Sequence, residues 1–228
     1  MEFFDVIRAR RSVRKYTAKP VPEEVIEKAL DAALLAPNSS NMQTWEFYWV
    51  RTPEKKAKLV EACLNQNAAR NARELVVIVA APKLWKKNNE EMIRRAKAQG
   101  LKPIVLRYYE KLMPFEYTYH WLAPIKWLIL NWRGLFKPTA RHPWSFRDVQ
   151  EISLKSAALA AENFMLAVVA QGFATCPMEG FDERRVKRLL GLRYSDKIVM
   201  VVSVGEMDPK GMWGPQVRFP REWYVHRV

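Results

Sequence analysis

Two nearly uninterrupted runs of apolar residues constrain the fold of this chain more than any other feature of its sequence. They occupy residues 75–81 and 198–204 and consist mostly of valine and isoleucine. Such runs are typical of strands that are buried on both faces. Residues 152–170 are so rich in alanine and leucine that we predict a central helix there rather than a surface helix. Strands buried on both faces need helices on both sides of the sheet, so the predicted fold class is α+β.

The remaining pattern indicates one domain. A chain of 228 residues suits a single domain better than two. Periodicity and turn chemistry predict a strand at residues 45–50 and a set of further helices at 2–9, 22–34, 53–64, 85–99 and 182–190. The tail after Asp208 has no periodicity, and we expect it to wrap over another surface such as a second subunit. Neither a GxGxxG fingerprint nor a P-loop is present.

The cysteines give no sign of a disulfide framework or of a metal centre. Cys63 and Cys176 are the two cysteines of the chain, and neither lies in a CxxC pair or a Cys/His cluster. The first residues lack the apolar core of a secretory signal, so the predicted location is the cytoplasm.

Positive charge is concentrated in one part of the sequence. The formal net charge is +14, and residues 83–147 contain 14 basic but only four acidic residues. A basic field of this kind attracts nucleic acid, anionic membranes or small anions. An ordinary solvated surface explains the same composition, so charge alone leaves these alternatives open.

Four separated clusters carry groups that suit a flat, polar, phosphorylated ligand. Residues 10–14 combine three arginines with a serine, and guanidinium groups bind phosphate in a bidentate manner. Residues 37–45 supply hydroxyl and amide groups that can both donate and accept hydrogen bonds. Residues 175–182 form a glycine-bearing turn before a helix, and residues 216–220 add another arginine. Taken singly, each cluster could be a solvated charge run or an ordinary Asx turn.

Taken together and in this order, the motifs are recognisable. The chain resembles the FMN-dependent nitroreductase superfamily through RRSVRKY at 10–16, PVPEEVIEKALDAALLAP at 20–37, NSSNMQTWEF at 38–47, GFATCPMEGFD at 172–182 and VRFP at 217–220. The resemblance implies a nitroreductase-like fold with a mostly antiparallel central sheet flanked by helices. It also implies an intertwined homodimer with bound FMN at the subunit interface.

The resemblance assigns roles to individual positions of this sequence. The phosphate and ribityl side of FMN would meet Arg10, Arg11, Ser12, Arg14, Gln216 and Arg218. The partner subunit would contribute a loop with Pro37, Asn38, Ser39, Asn41 and Gln43. The turn beside the flavin N5 would be Pro177, Met178, Glu179 and Gly180, and the pyrimidine edge would face Asn67 and Arg70. Gln216 departs from the family pattern, in which a lysine is common at this position.

The reaction implied is that of an NAD(P)H-dependent oxidoreductase. Nitroaromatic compounds, quinones and related conjugated acceptors would be reduced by ping-pong hydride transfer through the flavin N5, so no side chain is predicted to be catalytic. We expect Cys176 and the three histidines, His120, His142 and His226, to be packing or surface residues.

Residues 83–147 are an inserted, basic, tryptophan-rich helical segment in this interpretation. Within it, one helical stripe is predicted to contain Trp121, Ile125, Leu128, Ile129, Trp132, Leu135 and Phe136. Pro124 and several polar residues make the stretch a poor transmembrane span. A lid or dimer contact is favoured over a helix lying in a membrane interface. Candidate substrate contacts are Ser40, Tyr117, Trp121 and Trp127.

Two other functions stay open at this stage. A membrane-surface flavoenzyme acting on a lipophilic substrate would use the tryptophan-rich segment as its contact. A basic nucleic-acid-binding module would use the positive field, but no recognisable nucleic-acid motif supports it, so nucleic acid is not the expected partner.

Overall fold

The computed structural model describes residues 2–118 and 123–228. Its centre is a four-stranded sheet of β1 (Trp45–Trp49), β2 (Glu74–Ala80), β3 (Ala174–Met178) and β4 (Lys197–Gly205). The strand order is β1-β2-β4-β3, and all three neighbouring pairs are antiparallel. The two apolar runs are therefore the two central strands, and the predicted α+β class with an antiparallel sheet is confirmed.

Helices cover both faces of the sheet. Their bounds are α1 Phe3–Ala9, α2 Glu23–Leu34, α3 Pro53–Ala62, α4 Asn67–Arg70, α5 Leu84–Ala98, α6 Pro103–Arg107, α7 Met113–Tyr117, α8 Ala123–Arg133, α9 Phe146–Ala170 and α10 Glu183–Leu190. A π-helical turn, Tyr108–Leu112, joins α6 to α7, and single 3-10 turns lie at Ser39–Asn41 and Arg221–Trp223.

The alternation of side chains along the central strands explains why the apolar runs are continuous. Val76 and Ile78 of β2 face a core formed with α2 and α9, whereas Leu75 and Val77 face a second core formed with α3 and α10. Successive residues of a strand point to opposite faces, so both sets must be apolar when both faces are covered. A register shift between Ile78 and Val79 interrupts the pairing with β4.

The long central helix α9 begins earlier than its apolar pattern indicates. A capping box fixes the start: the Ser145 hydroxyl accepts a hydrogen bond from the Asp148 N–H at 3.3 Å, and the Asp148 carboxylate accepts one from the Ser145 N–H at 3.0 Å. The helix is long and apolar enough to cross a membrane, but half of its most apolar window is buried in this core. The composition therefore fits a core helix.

One strand was missed by the sequence analysis. The sequence predicts a glycine-bearing turn over residues 175–182, whereas residues Ala174–Met178 form strand β3 and only the residues after it form the turn. Strand β3 lies at the edge of the sheet, where a proline is tolerated because fewer N–H groups need a partner. On its outer side, Ser12 forms a parallel bridge with Thr175. This bridge brings the arginine segment to the sheet.

A third apolar cluster attaches the inserted segment to the rest of the chain. Tyr109, Met113 and Tyr117 pack against Met42, which follows α2, and against Val149 in the first turns of α9. The segment is therefore fixed beside the loop that precedes β1.

Burial of titratable groups predicts a loss of stability at alkaline pH. Burial raises the pKa of the Cys63 thiol from 9.0 to about 12, and burial with the nearby Glu46 raises the pKa of Tyr48 from 10.0 to about 12. The unfolded chain ionises these groups first, so the free energy of unfolding should decrease between about pH 9 and pH 12. Urea unfolding at pH 7.5 and at pH 10.5 tests this expectation. An equal free energy of unfolding at both values would contradict it.

Candidate functional site

The arginines predicted to bind phosphate come together in one cleft. A cavity of about 200 Å³ is lined on one side by Arg10, Arg11, Ser12 and Arg14 and on the other by the tail residues Met212, Trp213, Gly214, Pro215, Gln216, Val217 and Arg218. The first and the fourth sequence clusters, at residues 10–14 and 216–220, therefore share one site. We call this site the arginine cleft.

Backbone hydrogen bonds hold the two walls of the arginine cleft in place. The Val13 N–H donates to the Thr175 carbonyl at 3.0 Å, which aligns the arginine segment with the edge of the sheet. The Arg14 N–H donates to the Gly211 carbonyl at 2.8 Å, which brings the tail alongside. The edge of the sheet therefore positions the arginine segment, and the arginine segment in turn positions the tail at Gly211.

The guanidinium groups of the arginine cleft are held mainly by neutral partners. Arg14 donates to the Ser12 carbonyl at 3.2 Å and stacks over the Trp213 ring at 4.0 Å. Arg11 donates to the Gly214 carbonyl at 2.6 Å, and Arg218 donates to the Val217 carbonyl at 2.7 Å. Each bond fixes an arginine without neutralising its charge.

The cleft therefore carries positive charge that is only partly compensated. Among the described residues that line it, none is an aspartate or a glutamate. Outside it, Glu162 pairs with Arg10, with 3.9 Å between the carboxylate oxygen and Nε. The positive charges of Arg11, Arg14 and Arg218 favour the binding of an anion in the cleft. The residues present thus fit a phosphate group.

The third sequence cluster lies next to the arginine cleft. Burial raises the pKa of the Cys176 thiol, whereas Arg14, the Ser12 hydroxyl and Arg10 act in the opposite direction. This thiol is thus buried, protonated at neutral pH and close to the arginine segment. Pro177 and Met178 continue β3 away from it, and Glu179 and Gly180 form the exposed turn beyond the strand.

The short helix α4 is joined to that turn by a residue that the sequence analysis missed. The Gln66 amide, at the start of α4, donates to the Gly180 carbonyl and also to the Cys63 carbonyl at 3.0 Å. Asn67 and Arg70, predicted at the pyrimidine edge, follow in α4 itself. The turn and α4 therefore form one unit at the end of β3. An isolated glutamine gives no sequence signal of this kind.

The loop at residues 37–43 lies elsewhere in the same chain. Ser40, Asn41 and Gln43 adopt positive φ values of 55°, 54° and 46°. The loop is braced internally, since Asn38 accepts from the Gln43 N–H at 2.8 Å through its side-chain oxygen. Asn41 and Gln43 line a separate cavity of about 610 Å³ against α5, not the arginine cleft. A single chain therefore does not bring the second cluster to the other three.

Two tyrosines of the inserted segment hold this loop. The hydroxyls of Ser40 and Tyr108 are hydrogen-bonded at 2.8 Å, and Tyr117 donates to the Ser39 hydroxyl at 3.1 Å. Tyr117 is fully buried, so its hydroxyl faces the loop rather than open solvent. Trp127, also predicted to contact substrate, is partly exposed and lies 6.2 Å from the Trp144 ring. Trp121, the fourth such residue, lies outside the described residues.

Removing the two tyrosine hydroxyls should loosen the loop. In a Tyr108→Phe/Tyr117→Phe variant, each lost hydrogen bond removes about 1 kcal/mol, so amide exchange of residues 38–43 should accelerate several-fold. Hydrogen–deuterium exchange measures this change. Tyr109→Phe is the matched control, because no hydrogen bond of the Tyr109 hydroxyl is observed within residues 2–118 and 123–228. Equal exchange in the double variant and the control would show that these bonds do not order the loop.

Comparison with known proteins identifies the architecture. The sequence profile of the Nitroreductase family matches residues 7–112 and 139–206. The chain is 28% identical over 220 residues to an NADH dehydrogenase of Thermus thermophilus, covering 95% of this chain and 91% of that protein. It is 26% identical over 204 residues to YodC of Bacillus subtilis, an NAD(P)H nitroreductase by name, covering 89% and 88%.

Solved structures show the same fold. A Bacillus subtilis nitroreductase, ydfN, superposes with a TM-score of 0.78 at 20% identity, covering 100% of this chain and 99% of that one. A nitroreductase of Exiguobacterium sibiricum, solved in complex with FMN, superposes with a TM-score of 0.75 at 23% identity, covering 100% and 98%. The sheet and its covering helices are thus those of an established fold.

Proposed function

This chain belongs to the nitroreductase family of oxidoreductases, and on that premise we propose that it is an FMN-dependent enzyme that uses NAD(P)H to reduce conjugated acceptors. Nitroaromatic compounds and quinones are the proposed acceptor classes. The arginine cleft is the single observation that carries the proposal, because it gathers Arg10, Arg11, Arg14 and Arg218 with no carboxylate among its lining residues. A monoanionic or dianionic phosphate satisfies that charge.

The chain's own residues would bind and orient the cofactor. Ser12 and Gln216 would add neutral hydrogen bonds to the phosphate held by the arginines. Pro177, Met178, Glu179 and Gly180 would place their backbone beside the reactive edge of the ring, and Asn67 and Arg70 would contact the pyrimidine side. When bound, FMN would supply the redox chemistry between NAD(P)H and the acceptor.

The side chains near the site are suited to binding rather than to covalent catalysis. The raised pKa of Cys176 keeps its thiol protonated, so it is a poor nucleophile. Ser40, Tyr117 and Trp127 would instead shape the acceptor pocket, with Tyr117 acting through the loop that it holds.

The complete site would require a second copy of the chain. The loop with Pro37, Asn38, Ser39, Asn41 and Gln43 lies away from the arginine cleft of its own chain, as it would if it served the cleft of the partner. Two exposed apolar surfaces could cover each other in such a homodimer. They are α1, with Phe3, Phe4 and Ile7, and the tail, with Trp213, Val217, Phe219, Trp223 and Tyr224.

The whole chain would act as one nitroreductase-like domain with an inserted segment at 83–147. A cytoplasmic location is consistent with two buried, unpaired cysteines. Nothing in the described part of the chain favours the nucleic-acid alternative beyond its net charge.

Flavin content and turnover test this function. The protein, purified and reconstituted with FMN, should show flavin absorbance that survives gel filtration. In the absence of oxygen, it should oxidise more than one equivalent of NADH or NADPH per flavin only when a nitroaromatic compound or a quinone is present. Loss of all flavin on gel filtration, with no acceptor-dependent oxidation of either nucleotide, would overturn the proposal.

A further inference from the structure

One helix of the inserted segment presents an apolar face to solvent. On α8, Ile125, Leu128, Ile129 and Trp132 have relative exposures of 52%, 62%, 59% and 66%. These positions are spaced i, i+3, i+4 and i+7, so they form one stripe along the helix. Leu135 and Phe136, each 70% exposed, continue the stripe beyond the end of α8. We call these six residues the outer stripe.

Other side chains of α8 contact neighbouring parts of the chain, and these contacts fix the direction in which the outer stripe points. Trp127 packs 6.2 Å from the Trp144 ring. Lys126 donates to the carbonyls of Phe115 and Glu116 at 2.7 Å and 2.9 Å. The helix therefore cannot rotate to bury the outer stripe within its own chain without breaking these contacts. A soluble surface helix normally has the opposite arrangement, with its apolar side inward.

Cations predominate around the outer stripe. Residues 117–147 contain Lys126, Arg133, Lys137, Arg141 and Arg147 and no aspartate or glutamate, and the flanking acids Glu116 and Asp148 both interact with Lys126. If two copies of the stripe packed against each other, two segments with a net positive charge would be brought together. An anionic surface is instead complementary to both the apolar residues and the cations.

Aromatic and basic residues are arranged as in helices that lie in a membrane interface. Trp132 and Phe136 project from the same stripe that carries the aliphatic residues, and Arg133 and Lys137 follow them directly in sequence. Tryptophan favours the headgroup level of a bilayer, while lysine and arginine there are attracted to anionic lipids. Beside the stripe, Ile125 and Ile129 also line an apolar cavity of about 300 Å³ against Phe115. This cavity extends the apolar surface that lipid chains could cover.

We propose that the outer stripe of α8 docks this protein on the surface of an anionic lipid bilayer. The apolar side chains enter the boundary between headgroups and acyl chains, and Arg133 and Lys137 pair with lipid phosphates. The helix lies in the plane of the membrane and does not cross it. This docking does not depend on the proposed flavin chemistry.

Vesicle sedimentation of the full-length protein tests the proposal. The probes are vesicles of phosphatidylcholine alone and vesicles in which about one third of the lipid is phosphatidylglycerol. The wild-type protein should sediment with the anionic vesicles and stay in solution with the neutral ones. Binding should weaken by about tenfold or more from low to high salt, because exposed charges are screened.

Three variants separate the contributions of the outer stripe and its cations. Leu128→Ser/Trp132→Ser should lower vesicle affinity by at least about tenfold, and Arg133→Glu/Lys137→Glu should do the same. Tyr194→Ser is the matched control, because it removes a side chain that is 96% exposed in another part of the chain and should leave affinity unchanged. Circular dichroism confirms that each variant is folded.

Two results would overturn the proposal. The first is a wild-type protein that stays in solution with both kinds of vesicle. The second is a Leu128→Ser/Trp132→Ser variant that becomes monomeric without lipid while the wild type is dimeric, since the outer stripe would then be a subunit contact. Flavin retention, measured separately on the same variants, is expected to be unchanged.

Discussion

Replacing Arg14 and Arg218 together by alanine is expected to weaken FMN binding by at least about a hundredfold, because each removes a charge-assisted hydrogen bond of about 1.5–3 kcal/mol. The two residues come from opposite walls of the arginine cleft, which are separated by most of the chain. The losses of FMN binding free energy from the two substitutions should therefore add if a single phosphate lies between the two arginines. Each single variant should lose about tenfold or more.

Arg188→Ala is the control for this prediction. It removes the same charge from the exposed side of α10, and Arg188 is not among the residues that line the arginine cleft. Flavin fluorescence titration gives the dissociation constant for each protein. If the double variant binds FMN as tightly as Arg188→Ala does, the phosphate assignment is wrong, although the family assignment would stand.

Gly211→Ala is expected to damage the arginine cleft without removing any functional side chain. A Cβ atom at this position would lie 2.6 Å from the Lys15 carbonyl oxygen, 2.9 Å from the Asp208 carbonyl oxygen and 2.9 Å from Val13 Cγ1. Two of these three atoms belong to the backbone, so the tail must move away from the arginine segment. The bond from the Arg14 N–H to the Gly211 carbonyl would then be lost or distorted.

The Gly211→Ala substitution should affect both stability and FMN binding, and the two effects can be measured separately. Overpacking should lower the free energy of unfolding by about 1–3 kcal/mol. Displacement of the tail should weaken FMN binding by about tenfold or more, because Gln216 and Arg218 move with it. Gly214→Ala is the matched control, since a Cβ atom there would meet no atom within 4 Å. Equal FMN affinities of the two variants would show that the tail is not positioned through Gly211.

The fold was predictable where burial alone determines the sequence. Strands β2 and β4 are covered on both faces, so nearly every position in residues 75–80 and 198–204 is apolar and the runs are visible in the sequence. Strand β3 is equally ordered, but Thr175 and Pro177 give it no such pattern, and its position depends on pairing with distant residues. Pairing between distant segments is not encoded in local periodicity.

The sequence predicts which residues form the candidate site, but it does not predict which other residues hold them in position. Arginines and amides are conspicuous because phosphate and heterocycles need them. Gln66, which joins the turn at Gly180 to α4, and Tyr108, which holds Ser40, are ordinary residues whose contacts exist only after folding. The close backbone contact at Gly211 cannot be predicted from the sequence either, because nothing in the sequence distinguishes this glycine from the others in the tail.

The tryptophan-rich segment shows another property that the sequence does not predict, namely what covers an apolar helix face. Helical spacing correctly predicted that Ile125, Leu128, Ile129 and Trp132 share one face. Spacing cannot say what covers that face, and the expected burial by a lid or dimer contact is not provided by the described part of this chain, where the face is exposed. The surroundings of an apolar face are a property of the assembly and not of the helix.

Native mass spectrometry of the FMN-reconstituted protein tests most directly the claim that two chains together build the cofactor site. We expect a complex of two chains of 26.7 kDa with two FMN molecules, from which cofactor and dimer are lost together on dilution or activation. A monomer that holds FMN tightly, or a dimer that cannot bind it, would contradict the claim.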